Sequence, residues 1–209
     1  MNNIKIIDYK AGNSQSVRHA LTKLGHASSF ARNGSDLIGA THIILPGVGS
    51  AKATMDSLHD QDLLAELTTL IQVKRIPFLG ICVGLQILFE HSEEGDVTCL
   101  CWLKGQVKKF DASTMRVPQM GWNKVDFQKG ACGMNVEDQR PSDGYFYFVN
   151  SYYAVPTDPS DNWAIADYHH PFTAAVHRGN IFGTQFHVEK SGEAGLNLLN
   201  RFIVGGASC

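Results

Sequence analysis

The chain has 209 residues, of which 44% are hydrophobic, and a formal net charge of -2 at pH 7. This balance, without long runs of one sign, argues against nucleic acid as a partner, and no apolar stretch is long enough to span a membrane. The first residues run directly into a strand-like segment, so we expect no signal peptide. Five cysteines without a disulfide-like spacing fit a reducing compartment, and we expect a cytoplasmic protein.

In the first half of the chain, strand and helix signals alternate. Apolar runs predict strands, and apolar residues at helical spacing predict helices. The predicted strands cover residues 4–9, 27–30, 41–45 and 76–81, and the predicted helices cover roughly residues 14–24, 35–39, 51–58, 61–73 and 83–90. This alternation is typical of an α/β fold with a central, mostly parallel sheet flanked by helices.

After residue 95 the pattern changes, and strand-like segments dominate. Several of them alternate polar and apolar residues, which predicts antiparallel hairpins or an additional antiparallel sheet in the second half. These segments cover residues 102–110, 120–127, 145–155, 163–168, 172–177 and 180–186. A final helix is predicted to begin near Ser191. No repeat or linker divides the chain, so we expect a single domain over residues 1–209.

The most informative segment is the turn Gly80-Ile-Cys82-Val-Gly84. It lies between a predicted strand and a predicted helix, which is the arrangement of a nucleophile elbow with Cys in the place of Ser. The two glycines allow a sharp turn and a close approach of substrate. Alone, this pattern is more often a structural turn with a buried cysteine, so a nucleophile also needs a nearby base.

The best candidate for that base is His187, with Glu189 as the residue that orients it. The two residues come at the end of a predicted strand, and side chains at i and i+2 of an extended segment point the same way. The carboxylate could hold one ring nitrogen while the other faces the thiol. Alone, a His-x-Glu sequence is more often a surface pair.

A third element is the glycine-rich segment Pro46-Gly-Val-Gly49, which follows a strand and precedes a helix. The segment should therefore lie at the carboxyl edge of the sheet, which is where ligands bind in open α/β sheets. The backbone N–H groups of Val48 and Gly49, with that of Val83, are candidates for an oxyanion hole. A simple β-turn is the alternative. The Cys99-x-Cys101 pair lacks the usual zinc spacing, and we expect no metal and no cofactor.

Taken together, these segments resemble the class I (triad-type) glutamine amidotransferases. Within that class, the chain is most similar to the glutaminase subunits of imidazole glycerol phosphate synthases. The resemblance covers essentially the whole chain and rests on Ile7–Tyr9 with Gly12 and Asn13, Leu45–Gly49, Gly80–Gln86 with Phe89 and Glu90, Pro118–Asn123, Tyr145–Tyr152 and Gly183–Ser191.

The resemblance implies a specific chemistry. Cys82 would attack the side-chain amide of glutamine, His187 would act as general base and then acid, and Glu189 would orient the imidazole. Ammonia would leave, and water would hydrolyse the glutamyl thioester to glutamate. The positions that match glutamine-binding residues of the family are Gly47, Gln86, Glu94, Asn150, Ser151 and Tyr152.

The resemblance also implies a partner, a (β/α)₈ cyclase subunit that receives the ammonia. In this family the cyclase makes imidazole glycerol phosphate and an aminoimidazole carboxamide ribotide in histidine biosynthesis, so we expect a heterodimer. The positions that match residues near that interface are Asn13, Gln119, Trp122, Tyr147 and Lys190. For Trp122 and Tyr147, core packing is an equally good interpretation.

Three residues depart from the family pattern. Val188 stands where Pro is usual, and Gln119 and Asn150 stand where His is common. These departures leave two alternatives open. The chain could be a paralogue that supplies ammonia for nucleotide-sugar amidation in surface polysaccharide synthesis. It could also belong to another class, as a cysteine hydrolase that works alone or a non-catalytic regulatory relative.

Overall fold

A computed structural model describes residues 2–9, 13–128 and 141–205. Its helices are α1 Ser14–Lys23, α2 Ala51–Asp60, α3 Leu64–Thr68, α4 Val83–Gln86 and α5 Gly192–Gly205. The strands of the described residues are β1 Ile4–Ile7, β2 Ser28–Ala31, β3 His42–Gly47, β4 Phe78–Cys82, β5 His91–Ser92, β6 Val97–Thr98, β7 Gly105–Lys109, β8 Gln119–Phe127, β9 Gly144–Asn150, β10 Tyr152–Pro156, β11 Asn162–Asp167, β12 Pro171–Arg178 and β13 Ile181–Thr184.

Short 3₁₀ turns cover Gly34–Leu37, Pro159–Asp161 and Val188–Lys190, and a π-helical turn, Thr69–Val73, extends α3. The elements of the first half therefore match the sequence prediction closely. No helix in the described part of the chain is both long enough and apolar enough to cross a bilayer.

The parallel part of the sheet has the strand order β2-β1-β3-β4-β13. Every residue of β3 and of β4 is buried, as expected for strands covered by helices on both faces. Gly47, the last residue of β3, pairs with Cys82, the last residue of β4. The two segments that the sequence proposes as oxyanion loop and nucleophile turn therefore leave the sheet side by side.

The antiparallel part continues the same sheet. β12 pairs with β13, β10 and β11, and from there one branch runs through β7, β5 and β6 and the other through β8 and β9. The predicted α/β fold, with a mostly parallel centre and an antiparallel part from the second half, is confirmed. The antiparallel strands are joined to the parallel ones through β12 and β13.

Two predicted elements differ from the structure. The helix predicted over 83–90 ends at Gln86, because residues 88 and 89 make tight i to i+3 turns and the N–H of Glu90 then donates to the carbonyl oxygen of Gly105 at the start of β7. The strand predicted over 145–155 is split at Ser151 into β9 and β10. Both breaks involve contacts with residues distant in sequence, which a local apolar pattern does not contain.

Candidate functional site

Cys82 occupies the turn between β4 and α4 and has φ +56° and ψ -109°. A residue with a side chain rarely adopts a positive φ, and such strain costs on the order of 1–3 kcal/mol. Strain of this kind is often found where a side chain is presented for chemistry. The turn therefore has the backbone of the nucleophile elbow that the sequence predicts.

The glycines of this turn are required by close packing. A Cβ atom at Gly84 would lie 2.1 Å from the carbonyl oxygen of Leu45, and one at Gly80 would lie 2.3 Å from the carbonyl oxygen of Gly84. At Gly47 a Cβ atom would lie 2.6 Å from the N atom of Gly84. Glycine at these positions therefore lets α4 lie directly against the ends of β3 and β4.

His187 and Glu189 contact each other, with 2.8 Å between Nδ1 and Oε1, and both side chains are buried. The backbone differs from the prediction of an extended segment, because β13 ends at Thr184 and a 3₁₀ turn begins at Val188. The N–H of His187 donates to the carbonyl oxygen of Tyr147 on β9, which ties the backbone of His187 to that strand. Val188 itself is fully buried.

The environment of His187 favours its protonated form. Burial lowers the pKa of His187, but its interactions with the Cys82 sulfur and the Glu189 carboxylate outweigh burial and raise the pKa to about 9. Because Nδ1 contacts Glu189, Nε2 is the ring nitrogen that remains to interact with the sulfur of Cys82. His187 therefore carries a proton at neutral pH that it can transfer to a leaving group.

One cavity of about 300 Å³ brings the predicted site residues together. Its lining includes Val48, Gly49, Cys82, Val83, Gln86, Glu94, Asn150, Ser151, Tyr152, His187 and Lys190, with Pro118 and Val149 as the two residues that the sequence did not single out. Glu189 lies behind His187, away from this lining. Within residues 2–9, 13–128 and 141–205 no cluster of three or more His, Cys, Asp or Glu could hold a metal ion.

The glycine-rich segment Pro46–Gly49, which is the proposed oxyanion loop, leads from β3 to α2. Gly49 within it has φ +93°, a conformation that glycine adopts without strain. The hydroxyl of Tyr9 lies close to this loop. Burial raises the pKa of Tyr9, and hydrogen bonds from the Thr54 hydroxyl and the Val48 backbone oppose the rise. Tyr9 is thus a buried neighbour of this loop, and the sequence pattern did not single it out as a site residue.

Glu94 is fixed at the wall of the cavity by the start of α2. Its Oε2 atom accepts a hydrogen bond of 2.9 Å from the N–H of Ala51, the first residue of that helix. Burial raises the pKa of the Glu94 carboxyl, and the bond from Ala51 opposes this effect. The carboxylate is thus held in place at the wall of the cavity.

Asn13 is buried in the structure, whereas the sequence predicts that it lies near the partner interface. It is 8% exposed, and its amide donates to Oε1 of Glu189, the same oxygen that contacts His187. The side chain is hydrogen-bonded to the His187–Glu189 pair because α1 begins beside the 3₁₀ turn that carries Glu189. Asn13 is therefore a support for the carboxylate, a role that depends on a contact across 176 positions of sequence.

Gln119 is also buried, with 3% of its surface exposed, and so offers little surface to a partner. It stands directly opposite Asn150 in the pairing of β8 with β9. Two of the three residues that depart from the family pattern are therefore neighbours, and their departures form one local change. The burial of Gln119 follows from this strand pairing, which the sequence alone does not reveal.

The exposed Trp122 and the half-buried Tyr147 form an aromatic pair on the same hairpin. Trp122 is 57% exposed, is paired across the strands with Tyr147, and meets its ring edge to face at a centroid distance of 6.0 Å. Met120, on the same strand, is also exposed. Lys190 lies at the cavity lining. These residues are accessible to a partner next to the cavity, so core packing does not account for Trp122.

A family model described as glutamine amidotransferase class-I matches residues 5–205. The chain belongs to the class I glutamine amidotransferases. As a member of that family of enzymes, it brings its elbow cysteine and the histidine of its His-x-Glu pair together in one cavity.

Several proteins are similar to this one over nearly the whole chain. The imidazole glycerol phosphate synthase subunit HisH of Leptospira interrogans is 42% identical over 204 residues, which cover 95% of this chain and 98% of that protein. The chloroplastic imidazole glycerol phosphate synthase hisHF of Arabidopsis thaliana is 40% identical over 204 residues, 96% of this chain and 34% of that protein. A crystal structure of a glutamine amidotransferase has the same fold, with a TM-score of 0.76, 15% identity, and coverage of 97% and 98%.

Proposed function

We propose that this chain is the glutaminase subunit of an imidazole glycerol phosphate synthase, which hydrolyses L-glutamine to glutamate and ammonia for histidine biosynthesis. The similarity to subunits of that name over 95% of the chain supports the pathway. The observation that carries the chemistry is the 2.8 Å contact of His187 with Glu189 in a cavity that also exposes the strained Cys82.

In the proposed mechanism, the Cys82 thiolate attacks the amide carbon of glutamine, and a C–S bond forms. The resulting oxyanion is stabilised by backbone N–H groups at Val48, Gly49 and Val83, which line the cavity. The C–N bond then breaks as protonated His187 gives its proton to the amine, and ammonia leaves. The neutral ring next takes a proton from water, and the hydroxide cleaves the thioester to glutamate and the thiolate.

The remaining cavity residues hold the substrate in this proposal. Glu94 receives the α-ammonium group, because a fixed carboxylate in a partly desolvated site is a strong partner for a cation. Gly47 keeps the oxyanion loop close to α4. The side chain of Gln86 and the segment from Asn150 to Tyr152 line the opposite wall.

We further propose that a (β/α)₈ cyclase subunit covers the cavity on the side of Trp122, Tyr147 and Lys190. Ammonia released into water at neutral pH is mostly protonated and loses its nucleophilicity, so a protected transfer is needed. The exposed tryptophan is typical of the residues that dominate binding at interfaces. In the plant relative, named hisHF, the matched region is 34% of the protein. The rest of that protein is about twice as long as the matched region, which fits a fused partner.

The test is the variant Cys82→Ala, assayed together with the cyclase subunit. Glutamine-dependent formation of imidazole glycerol phosphate should fall by about 10³-fold or more, because the covalent step is lost. Formation from added ammonium salt should be unchanged, because the cyclase does not use the cysteine. The control is Cys101→Ala, which changes an exposed cysteine and should keep full activity. Glutamine-dependent turnover that survives in Cys82→Ala would contradict the assignment.

The second candidate, ammonia supply for nucleotide-sugar amidation, is favoured by the coupled departure at Gln119 and Asn150. Expression of the chain in a histidine auxotroph that lacks its own glutaminase subunit separates the two functions. Restored growth without histidine supports the histidine pathway. Failure to restore growth by a chain that hydrolyses glutamine with a cyclase-like partner favours the second candidate.

A further inference from the structure

Gln185 is a fully buried residue that the proposed mechanism does not use. It follows β13, and its backbone N–H donates to the carbonyl oxygen of Ala174 on β12 at 2.8 Å. Its side chain contacts the nucleophile, with 3.7 Å from Nε2 to the Sγ atom of Cys82, although Gln185 is not among the residues that line the cavity. The sulfur makes a second contact, because the thiol lies 3.8 Å from the carbonyl oxygen of Val149.

The other end of the Gln185 amide fixes a second residue. Its Oε1 atom accepts a hydrogen bond of 3.0 Å from Nε2 of Gln86. The same Nε2 atom also donates to the carbonyl oxygen of Tyr152 at 3.0 Å. Both partners of this nitrogen are acceptors, so the amide of Gln86 has only one orientation that satisfies them.

The network leaves acceptor oxygens at the cavity. Asn150 donates its own Nδ2 atom to the carbonyl oxygen of Tyr152 at 3.0 Å, as Gln86 does. The Oε1 atom of Gln86 and the Oδ1 atom of Asn150 have no hydrogen-bond partner among the described residues, although both side chains are buried and both line the cavity. Buried acceptors without partners are costly, so the hydrogen bonds of the two NH₂ groups must hold these amides in their orientation.

We propose that Gln185 is a positioning residue for the reaction: its N–H holds the sulfur of Cys82, and its carbonyl oxygen fixes the orientation of the Gln86 amide at the cavity. This inference rests on the proposed role of Cys82 as the nucleophile. A hydrogen bond to a thiolate stabilises the charged form, which is the attacking species. The two contacts come from one rigid amide, so a change at Gln185 affects both groups together.

Two variants separate the two contacts. Gln185→Met has a similar volume and removes both the donor and the acceptor. Gln185→Glu keeps an acceptor for Gln86 and loses the N–H that faces the sulfur. We expect Gln185→Met to raise the KM for glutamine about fivefold and to lower kcat about tenfold or more. We expect Gln185→Glu to lower kcat to a similar extent and to leave KM within about twofold.

The reactivity of the Cys82 sulfur can be measured directly as its rate of alkylation by iodoacetamide at pH 7, followed by mass spectrometry of the Cys82 peptide. Both variants should alkylate Cys82 at least about fivefold more slowly than the wild-type protein, while the exposed Cys101 serves as an internal reference. Wild-type alkylation rates together with an unchanged kcat in Gln185→Met would overturn the proposal.

The matched control is Asn180→Leu, which removes another buried amide. Asn180 donates to the carbonyl oxygens of Ile71 and Ile76 and lies outside the cavity lining. This variant should lose stability and keep the alkylation rate of Cys82. A Cys82 alkylation rate that falls equally in Asn180→Leu would show a general structural effect and would overturn the proposal. If the wild-type complex does not hydrolyse glutamine, the proposed function fails, and the alkylation rates still decide the role of Gln185.

Discussion

At the scale of single residues, the site is a chain of contacts that runs from Asn13 through Glu189 and His187 to Cys82. Each residue engages an atom of the next, so the orientation of the imidazole is determined from both sides. The raised pKa of His187 is the electrostatic result of this arrangement, because a cationic ring lies between a carboxylate and a sulfur.

The variant Glu189→Gln tests this arrangement. We expect kcat to fall by roughly 10⁴-fold, as in serine hydrolases whose orienting carboxylate becomes an amide. The folded pKa of His187 is raised to about 9, so the proton for the leaving amine is present below that pH and is lost as the pH rises through it. Without the carboxylate this pKa falls, and the alkaline limb of the rate profile should move to lower pH.

The control for this prediction is Glu193→Gln, which changes an exposed carboxylate on α5 only a few residues away. Its pH-rate profile should match that of the wild-type complex. A Glu189→Gln profile that keeps its alkaline limb near pH 9 would mean that Glu189 does not raise the pKa of His187.

The sequence singles out the three residues of the proposed triad, but it does not reveal the residues that surround them. Cys82, His187 and Glu189 were recognisable because their partners are close in sequence or belong to a specific motif. The contact of His187 with Glu189 was predicted for an extended segment, whereas the structure forms it at a 3₁₀ turn. Asn13 and Gln185 were harder to interpret, because their contacts span 176 and 103 positions and depend on the closed fold.

At the scale of elements, the elbow depends on how closely α4 approaches β3 and β4. α4 has only four residues, so its own hydrogen bonds cannot hold it in place. The loop over residues 99–103 contributes support, because the backbone N–H groups of Leu100, Cys101 and Trp102 donate to the carbonyl oxygens of Ile87, Phe89 and Leu88. The apolar pattern around residue 90 suggested a longer helix because it contained no sign of this loop.

The variant Gly84→Ala tests this close approach. Its Cβ atom would lie 2.1 Å from the backbone oxygen of Leu45, which cannot move without disturbing β3. We expect a loss of about 1–3 kcal/mol in the free energy of unfolding, measured by urea denaturation, and at least about a 10²-fold loss of glutaminase activity as Cys82 is displaced.

The control for the elbow is Gly144→Ala at the start of β9. There a Cβ atom would meet its nearest neighbour, a ring carbon of Phe146, at 3.9 Å, which is ordinary contact. We expect stability and activity close to those of the wild-type protein. If Gly84→Ala were as well tolerated as Gly144→Ala, the close packing of α4 would not be what holds the elbow.

At the scale of the whole molecule, the sheet brings residues from both halves of the chain to one edge. The parallel strands supply Cys82 and the oxyanion loop, and the antiparallel hairpin of β8 and β9 supplies one wall of the cavity and the exposed Trp122. The fold class followed from the order of strand signals. The junction through β12 and β13 did not, because strand pairing across the sheet is not contained in local periodicity.

The central claim is that Cys82 forms a covalent bond to the glutamyl group of glutamine. The most direct measurement is mass spectrometry of the assembled complex, quenched in acid during steady-state turnover of glutamine and digested to locate any adduct. We expect a glutamyl thioester on the Cys82 peptide that disappears once the glutamine is consumed. Glutamine consumption without an adduct on Cys82, or with the glutamyl group on another residue, would contradict the claim.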